Sequence, residues 1–163
     1  MKIYIEDSVT EKNNFKFEKH LISLLRYVPK AHIDKLGCIK VVDKSLKSKD
    51  GNECRGMYYA STNNEDAIVF LSAEAMFKGM PKLFFLIPLI PKFTLSYSLY
   101  HEIGHHYQRN FTHGIKKELA EKNADNYAKK MQQKAFKPYF GFFLLIFWPF
   151  LLIRSYLKKV GKW

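Results

Sequence analysis

Residues 100–109, YHEIGHHYQR, are the stretch that most constrains the fold of this chain. His101 and His105 are four residues apart, so on an α-helix their imidazole rings emerge from the same face. Two ring nitrogens at this spacing can bind one tetrahedral Zn²⁺ at about 2.0–2.1 Å. Glu102 is rotated away from that axis and can reach a metal-activated water without binding the metal. The stretch therefore predicts a helix that carries a zinc site with Glu102 as the general base.

A catalytic zinc site needs a third protein ligand and leaves a fourth position for water. Residues 118–128, ELAEKNADNYA, place Glu121 and Asp125 on one face of a second predicted helix. We expect Glu121 to complete a site for one Zn²⁺ per chain with two histidines and one glutamate. Asp125 is expected to accept a hydrogen bond from the free ring nitrogen of a ligating histidine. The alternative for this pair is a solvated helix face, since several lysines surround it.

The remaining histidines near the motif are less informative. His106 is rotated by about 100° from His105 and cannot share its metal, so we expect it at the helix surface or on the substrate side. His113 lies in the turn between the two helices, where it either stabilises an oxyanion or is simply solvated.

Hydrophobic periodicity predicts the elements upstream of the motif. A helix is expected over 15–28, a strand over 38–43, and a β-hairpin formed by GMYYAST and AIVFLSA. A polar loop is expected over 44–53. Residues 82–93, KLFFLIPLIPKF, are apolar but contain two prolines and predict a loop leading into the motif helix. The second ligand-bearing helix is predicted over about 115–135.

The end of the chain is both basic and apolar. The formal net charge is +12, and residues 126–163 contain eight Lys or Arg and no Asp or Glu. Residues 139–153 carry no charge and would cover roughly 22 Å as a helix, against about 30 Å for a hydrocarbon core. We therefore predict a domain that contains the zinc site over 1–137 and a membrane-associating segment over 138–163. A buried core helix is the alternative for that segment.

Charge placement and the start of the chain indicate partners and location. Nucleic acid is not expected as a partner, because the basic residues of the tail flank an apolar run and lack a docking motif. The opening residues have no apolar region typical of a signal peptide. Together with the tail, this predicts a protein at the cytoplasmic face of a membrane, with a cytoplasmic location as the alternative.

These motifs resemble a known class of enzymes. HEIGH, followed by a helix with Glu121 and Asp125, resembles the gluzincin-type HExxH zinc metallopeptidases. The order of elements over about 15–131 is similar to the small ImmA/IrrE-like peptidases, and the apolar C-terminal segment resembles that of HtpX-like membrane peptidases. The resemblance implies an edge strand beside the metal that holds an extended substrate, and AIVFLS is its candidate here.

The expected fold class is α+β and zincin-like. It consists of an N-terminal helix, an antiparallel sheet of about three strands, the HExxH helix, the second ligand-bearing helix and an apolar C-terminal helix. The expected function is hydrolysis of peptide bonds in a peptide or protein substrate by a zinc-activated water. The alternative function is a non-catalytic, membrane-associated zinc-binding or interaction protein.

Overall fold

The computed structural model describes residues 1–12, 15–48, 50–62, 65–111 and 116–159, with side chains throughout except at 10–12, 110–111 and 142–159. Among these residues the strands are β1 (Lys2–Ile5), β2 (Leu36–Val42), β3 (Leu46–Lys47), β4 (Glu53–Cys54), β5 (Gly56–Tyr59) and β6 (Ala67–Ser72). The helices are α1 (Asp7–Lys12), α2 (Phe17–Leu25), α3 (Ala73–Phe77), α4 (Leu89–Phe111) and α5 (Lys117–Lys159). Short 3₁₀ turns cover Lys30–His32 and Lys82–Leu86.

Four of the strands form a mixed sheet in the order β1-β2-β6-β5. β2 pairs in parallel with β1 and with β6, whereas β5 pairs antiparallel with β6. β3 and β4 form a separate two-stranded sheet. On the two central strands, alternate side chains are buried and therefore face the core; they include Ile39, Val41, Val69 and Leu71.

The predicted zincin-like fold with an antiparallel sheet of about three strands was wrong. KIYI at the start of the chain forms an additional strand, β1, and its pairing with β2 is parallel. Parallel neighbours need a crossover connection, which here contains α1 and α2. The predicted polar loop over 44–53 is not wholly irregular, because it includes the strand β3 and the first residue of β4. The chain is α+β, with a different sheet from the one expected.

The predicted hairpin is confirmed, but its role in the sheet differs from the expectation. β5 and β6 pair antiparallel, with Tyr58 opposite Val69. AIVFLS was expected to be the edge strand, and that was wrong, because it forms β6 between β2 and β5. The backbone groups of an interior strand are taken up by neighbours on both sides. The edge strand at this side of the sheet is β5.

α4 begins earlier than expected, within the segment that predicted an apolar loop. Pro88 directly precedes the helix and Pro91 lies in its first turn. A proline is tolerated there because the N–H that it lacks would have no partner within the helix. The two prolines therefore mark the start of this helix rather than its interruption.

The buried face of α4 fixes the orientation of the HExxH motif. Leu95, Leu99 and Ile103 are fully buried and recur with the spacing of one helix face. Tyr100 is also fully buried and donates its hydroxyl to the carbonyl of Leu24 at 2.9 Å, which ties α4 to α2. With this face held in the core, His101 and His105 are left partly exposed on another face of the helix.

The chain divides into two compact units, Met1–Gln132 and Gln133–Trp163, and α5 belongs to both. A separate apolar C-terminal helix was predicted, and that was wrong, because one continuous helix runs from Lys117 to Lys159. Within the described part of the chain, no helix combines the length and apolar character needed to cross a membrane. The side chains at 142–159 and all of 160–163, which make up most of the predicted membrane-associating segment, lie outside what the structure describes.

Candidate metal centre

Two helices bring three side chains with metal-binding atoms together. His101 Nε2 and His105 Nε2, both on α4, are 3.1 Å apart. Glu121 on α5 places Oε2 3.3 Å from His101 Nε2 and Oε1 3.6 Å from His105 Nε2. Tetrahedral bonds of about 2.0–2.2 Å separate neighbouring ligand atoms by about 3.3 Å. With one atom taken from each residue, the three ligand atoms all lie within 4.8 Å of one another, so the cluster could hold a single metal ion.

A glycine permits this approach of the two helices. A methyl group on Gly104 would lie only 3.0 Å from the Cα atom of Ala124 and 3.3 Å from its Cβ atom. Gly104 and Ala124 are both buried, so the backbones of α4 and α5 are in direct contact at this point. Glu121 lies one helical turn before Ala124, and it faces the histidines on either side of Gly104. A larger residue at position 104 would hold Glu121 away from them.

Asp125 and Tyr97 fix the tautomer of His101. Asp125 Oδ1 lies 2.9 Å from His101 Nδ1 and accepts a hydrogen bond from the Tyr97 hydroxyl at 2.7 Å. A carboxylate only accepts hydrogen bonds, so Nδ1 of His101 carries the proton and donates it. The lone pair of neutral His101 is then on Nε2, which points into the cluster. This arrangement is the one that a metal-ligating histidine requires.

The electrostatics of the cluster favour a cation. Burial and the neighbouring His101 ring lower the pKa of His105, so its ring is neutral at pH 7 and has a lone pair to offer. Burial raises the pKa of Asp125, but hydrogen bonds from Tyr97 and His101 outweigh it and the net shift is downward. Burial, followed by the hydrogen bond to Asp125 and the charge of that residue, raises the pKa of Tyr97 to about 12. The Tyr97 hydroxyl therefore keeps its proton and remains a donor. Acceptor atoms thus converge where a positive charge would stabilise them.

Glu102 is held beside this cluster by strand β5. Its side chain is 6% exposed and packs on Gly56, where an added methyl group would lie 2.6 Å from Glu102 Oε1. The backbone N–H of Tyr58 donates to the Glu102 carboxylate. Burial and the charge of Glu121 raise the pKa of Glu102 to about 8, against the effect of that hydrogen bond. The sheet therefore supplies this carboxyl group with space at Gly56 and with a hydrogen-bond donor at Tyr58.

The cluster opens into a cleft of about 1130 Å³ between α4, the start of α5 and the β3–β5 region. β5 lines the cleft along its length. The Ser72 N–H donates to the Arg55 carbonyl at 2.9 Å, so antiparallel alternation directs the backbone groups of Gly56 and Tyr58 away from β6. These groups lie on the open edge of the sheet. Among the described residues, the cleft therefore combines a candidate cation site with the outer edge of the sheet, where one N–H, that of Tyr58, donates to Glu102.

His106 was expected at the helix surface or on the substrate side, and that was wrong, because it is 1% exposed. Its Nε2 lies 2.7 Å from the Asp34 carbonyl, which only accepts, so Nε2 carries the proton. Burial lowers the pKa of His106, so the ring is neutral and its Nδ1 accepts from the Tyr58 hydroxyl at 3.1 Å. Tyr58 is thus bound to α4 twice, by its side chain to His106 and by its backbone to Glu102. The doubled histidine of HEIGHH was the one sequence feature that pointed to this residue.

The structure places the other predicted site residues as follows. His101, Glu102, His105 and Glu121 line the cleft, and Asp125 contacts His101 from outside the lining. His113 lies outside the described residues. Sequence reasoning missed Tyr58 and Gly56 as parts of the site, since neither of them carries a motif. No protein-family model, no curated protein and no solved structure matches this chain. The interpretation of the site therefore rests on its own geometry.

Removing the α5 ligand should weaken zinc binding. Asp125→Ala keeps all three proposed ligands and removes only the hydrogen bond that fixes the tautomer of His101. It should therefore reduce Zn²⁺ affinity by about 10- to 100-fold. Glu121→Ala removes a ligand and should cause a larger loss. Competition with a chromophoric chelator measures both. Glu118→Ala, an exposed carboxylate one turn earlier on the same helix, is the matched control and should bind like wild type. Unchanged affinity in Glu121→Ala would mean that another residue supplies the third ligand.

The hydrogen bond between Tyr58 and His106 should contribute to stability. Tyr58→Phe removes only the hydroxyl, and with it the hydrogen bond to the buried Nδ1 of His106. We expect the free energy of unfolding to fall by about 1–3 kcal/mol in urea denaturation. Tyr59→Phe removes a hydroxyl from the next residue of β5, which is 51% exposed, and should change stability by no more than about 0.5 kcal/mol. Equal effects of the two substitutions would contradict this role of His106.

Proposed function

We propose that this protein is a zinc-dependent metallopeptidase of the HExxH type that hydrolyses peptide bonds. The observation that carries the proposal is the convergence of His101, His105 and Glu121 at tetrahedral ligand spacing beside the buried Glu102. Each zinc ligand comes from a well-defined helix, and each has a neutral or acceptor atom facing the same point. A structural zinc site would need neither the adjacent carboxyl group nor the cleft.

In the proposed reaction Glu102 moves protons. Zinc, when bound to the two histidines and Glu121, is a Lewis acid that lowers the pKa of water from 15.7 to about 7. With a cation held at the cluster, the ionised form of Glu102 is favoured despite its burial. In that form Glu102 would accept the proton of the attacking water as the water oxygen bonds to the carbonyl carbon of the substrate. It then donates that proton to the nitrogen of the leaving amine as the C–N bond breaks. The Tyr58 N–H keeps the carboxyl group in place between the two transfers.

The open edge of β5 is the proposed binding site for the substrate backbone. An extended peptide can add to an exposed strand through main-chain hydrogen bonds, which give affinity without regard to sequence. Gly56 and Tyr58 direct their backbone groups toward that edge, and both line the cleft that contains the metal cluster. A peptide bound there would run past Glu102. This assigns to β5 the role that sequence analysis gave to AIVFLS.

The C-terminal segment, residues 138–163, is proposed to hold the protein at the cytoplasmic face of a membrane. Its support is the uncharged run at 139–153 between basic residues, namely Lys134, Lys137, Arg154, Lys158, Lys159 and Lys162. Basic residues near anionic headgroups contribute about 1 kcal/mol each, and the apolar side chains add a term that salt does not screen.

Glu102→Gln should separate catalysis from metal binding. An amide cannot act as a general base, so kcat/KM on a quenched-fluorescent peptide library should fall by at least about 100-fold. Zinc content by elemental analysis should stay at one ion per chain, because Glu102 is not a ligand. Glu118→Gln is the control for loss of a carboxylate and should keep full activity.

Two results would count against the enzyme. An active Glu102→Gln protein would remove Glu102 from the mechanism. A wild-type protein that binds zinc with the expected ligands but cleaves no peptide in the library would favour the alternative, a non-catalytic zinc-binding or interaction protein.

Salt and detergent should distinguish two ways in which the tail could be held. At ~1 M salt the Debye length is about 3 Å, so a tail bound only by charge should be released from isolated membranes. We expect the full chain to stay bound at ~1 M salt and to require detergent. A chain without residues 138–163 should no longer require detergent and should still bind zinc, since all proposed ligands precede the deletion. Aggregation of that shortened chain would identify the tail as part of the core instead.

A further inference from the structure

The turn before α4 exposes large apolar side chains to solvent. In the 3₁₀ turn Lys82–Leu86 and the next residue, Leu83 is 67% exposed, Phe84 40%, Leu86 76% and Ile87 53%. Burying such side chains is normally favourable, and isolated exposed ones are common on protein surfaces. Four within five consecutive residues are not isolated, and together they form a contiguous apolar protrusion. We refer to Leu83, Phe84, Leu86 and Ile87 as the apolar turn.

The apolar turn is held rigidly, so its side chains stay exposed. Phe85, the residue within it that faces inward, packs edge-on against Phe77 with ring centroids 5.2 Å apart. The Phe84 N–H donates to the Pro81 carbonyl at 2.9 Å, and the Ile87 N–H donates to the Phe84 carbonyl at 3.2 Å. Pro81 and Pro88 bracket the turn and restrict its backbone. Collapse of the exposed side chains onto the core would break this arrangement.

Charge indicates what the apolar turn contacts. Between Glu74 and Glu102 the sequence contains three lysines and no Asp or Glu, but Lys78 pairs with Glu53 and Lys92 is buried. Lys82, within the turn, is exposed. A second copy of the chain is a poor partner for this surface, because each copy carries a net charge of +12 and the two would repel each other. An anionic lipid surface is attracted by the same charge.

The shape of the apolar turn also fits a lipid surface. It is a protrusion rather than a groove, and a bilayer deforms to receive a protrusion without needing a complementary pocket. Five residues of 3₁₀ helix extend over about 10 Å at roughly 2.0 Å per residue. Apolar elements that lie in a membrane interface are buried to a depth of about 5–10 Å. The turn is thus of a size that fits within the interface.

We propose that the apolar turn inserts into the headgroup region of an anionic bilayer, with Lys82 at the lipid phosphates. This contact belongs to the unit Met1–Gln132 and does not rest on the proposed peptidase activity or on the C-terminal segment. It is an interfacial contact and requires no membrane-spanning helix.

A fluorophore on the turn can test this contact in the full-length chain. Leu86→Cys in a Cys54→Ser background allows an environment-sensitive dye to be attached at the most exposed residue of the turn; Cys38, the other cysteine, is buried. Leu119→Cys in the same background is the matched control, since Leu119 is an exposed leucine on α5. Vesicles of phosphatidylcholine alone and of phosphatidylcholine with phosphatidylglycerol are the probes.

The expected result is a shift of the emission to shorter wavelength at position 86, larger with phosphatidylglycerol, and no shift at position 119. Nitroxide-labelled lipids should quench the dye at 86 more than the dye at 119. Co-sedimentation with vesicles without any change at position 86 would overturn the proposal and leave the C-terminal segment as the only anchor. A shift at 86 that follows protein concentration without lipid would also overturn it, because a second copy would then cover the turn.

Discussion

The close contact between α4 and α5 at Gly104 and Ala124 is the constraint on which the site depends. The three candidate ligand atoms come from two helices, and a separation of about 3.3 Å between ligands of one ion tolerates little displacement. Helix axes usually lie 8–10 Å apart, with the distance set by the side chains at the contact. Glycine against alanine permits the short end of that range. The spacing of the metal cluster therefore depends on the small residues Gly104 and Ala124, which are not ligands themselves.

A second constraint joins the sheet to the same helix. Glu102 and His106 are four residues apart on α4, and both bind Tyr58 of β5, one through its backbone and the other through its hydroxyl. The edge of the sheet and the proposed base therefore move as one piece. Because Gly56 has no side chain, the strand can lie directly against the carboxyl group of Glu102. The order of the sheet matters here, since only a strand without an outer neighbour can offer its backbone to both Glu102 and a substrate.

Local patterns predicted the parts of this arrangement that depend on one helix at a time. The spacing of His101 and His105 and that of Glu121 and Asp125 each define a helix face, and the structure places those faces against each other.

What the sequence did not reveal depends on pairing between distant segments. The strand β1 is four residues long and has no turn that would announce a parallel partner, so the sheet was expected to be antiparallel. The burial of His106 depends on the Asp34 carbonyl, which no periodicity can indicate. Pro88 and Pro91 were misread because a proline that starts a helix and a proline that ends one look alike until the helix boundary is known.

The position of the apolar turn relative to the metal cluster links the two proposals. The turn ends where α4 begins, and α4 runs without interruption from Leu89 to the HExxH motif. At 1.5 Å per residue, the stretch from Leu89 to His101 is about 18 Å long. If the turn enters a bilayer, the membrane surface therefore lies no more than about 18 Å from the proposed zinc ligands, whatever the tilt of the helix. An extended peptide rises about 3.3 Å per residue, so the first five or six residues outside a membrane suffice to reach the cleft. Under both proposals, the substrates best placed for cleavage are segments that emerge directly from the lipid surface.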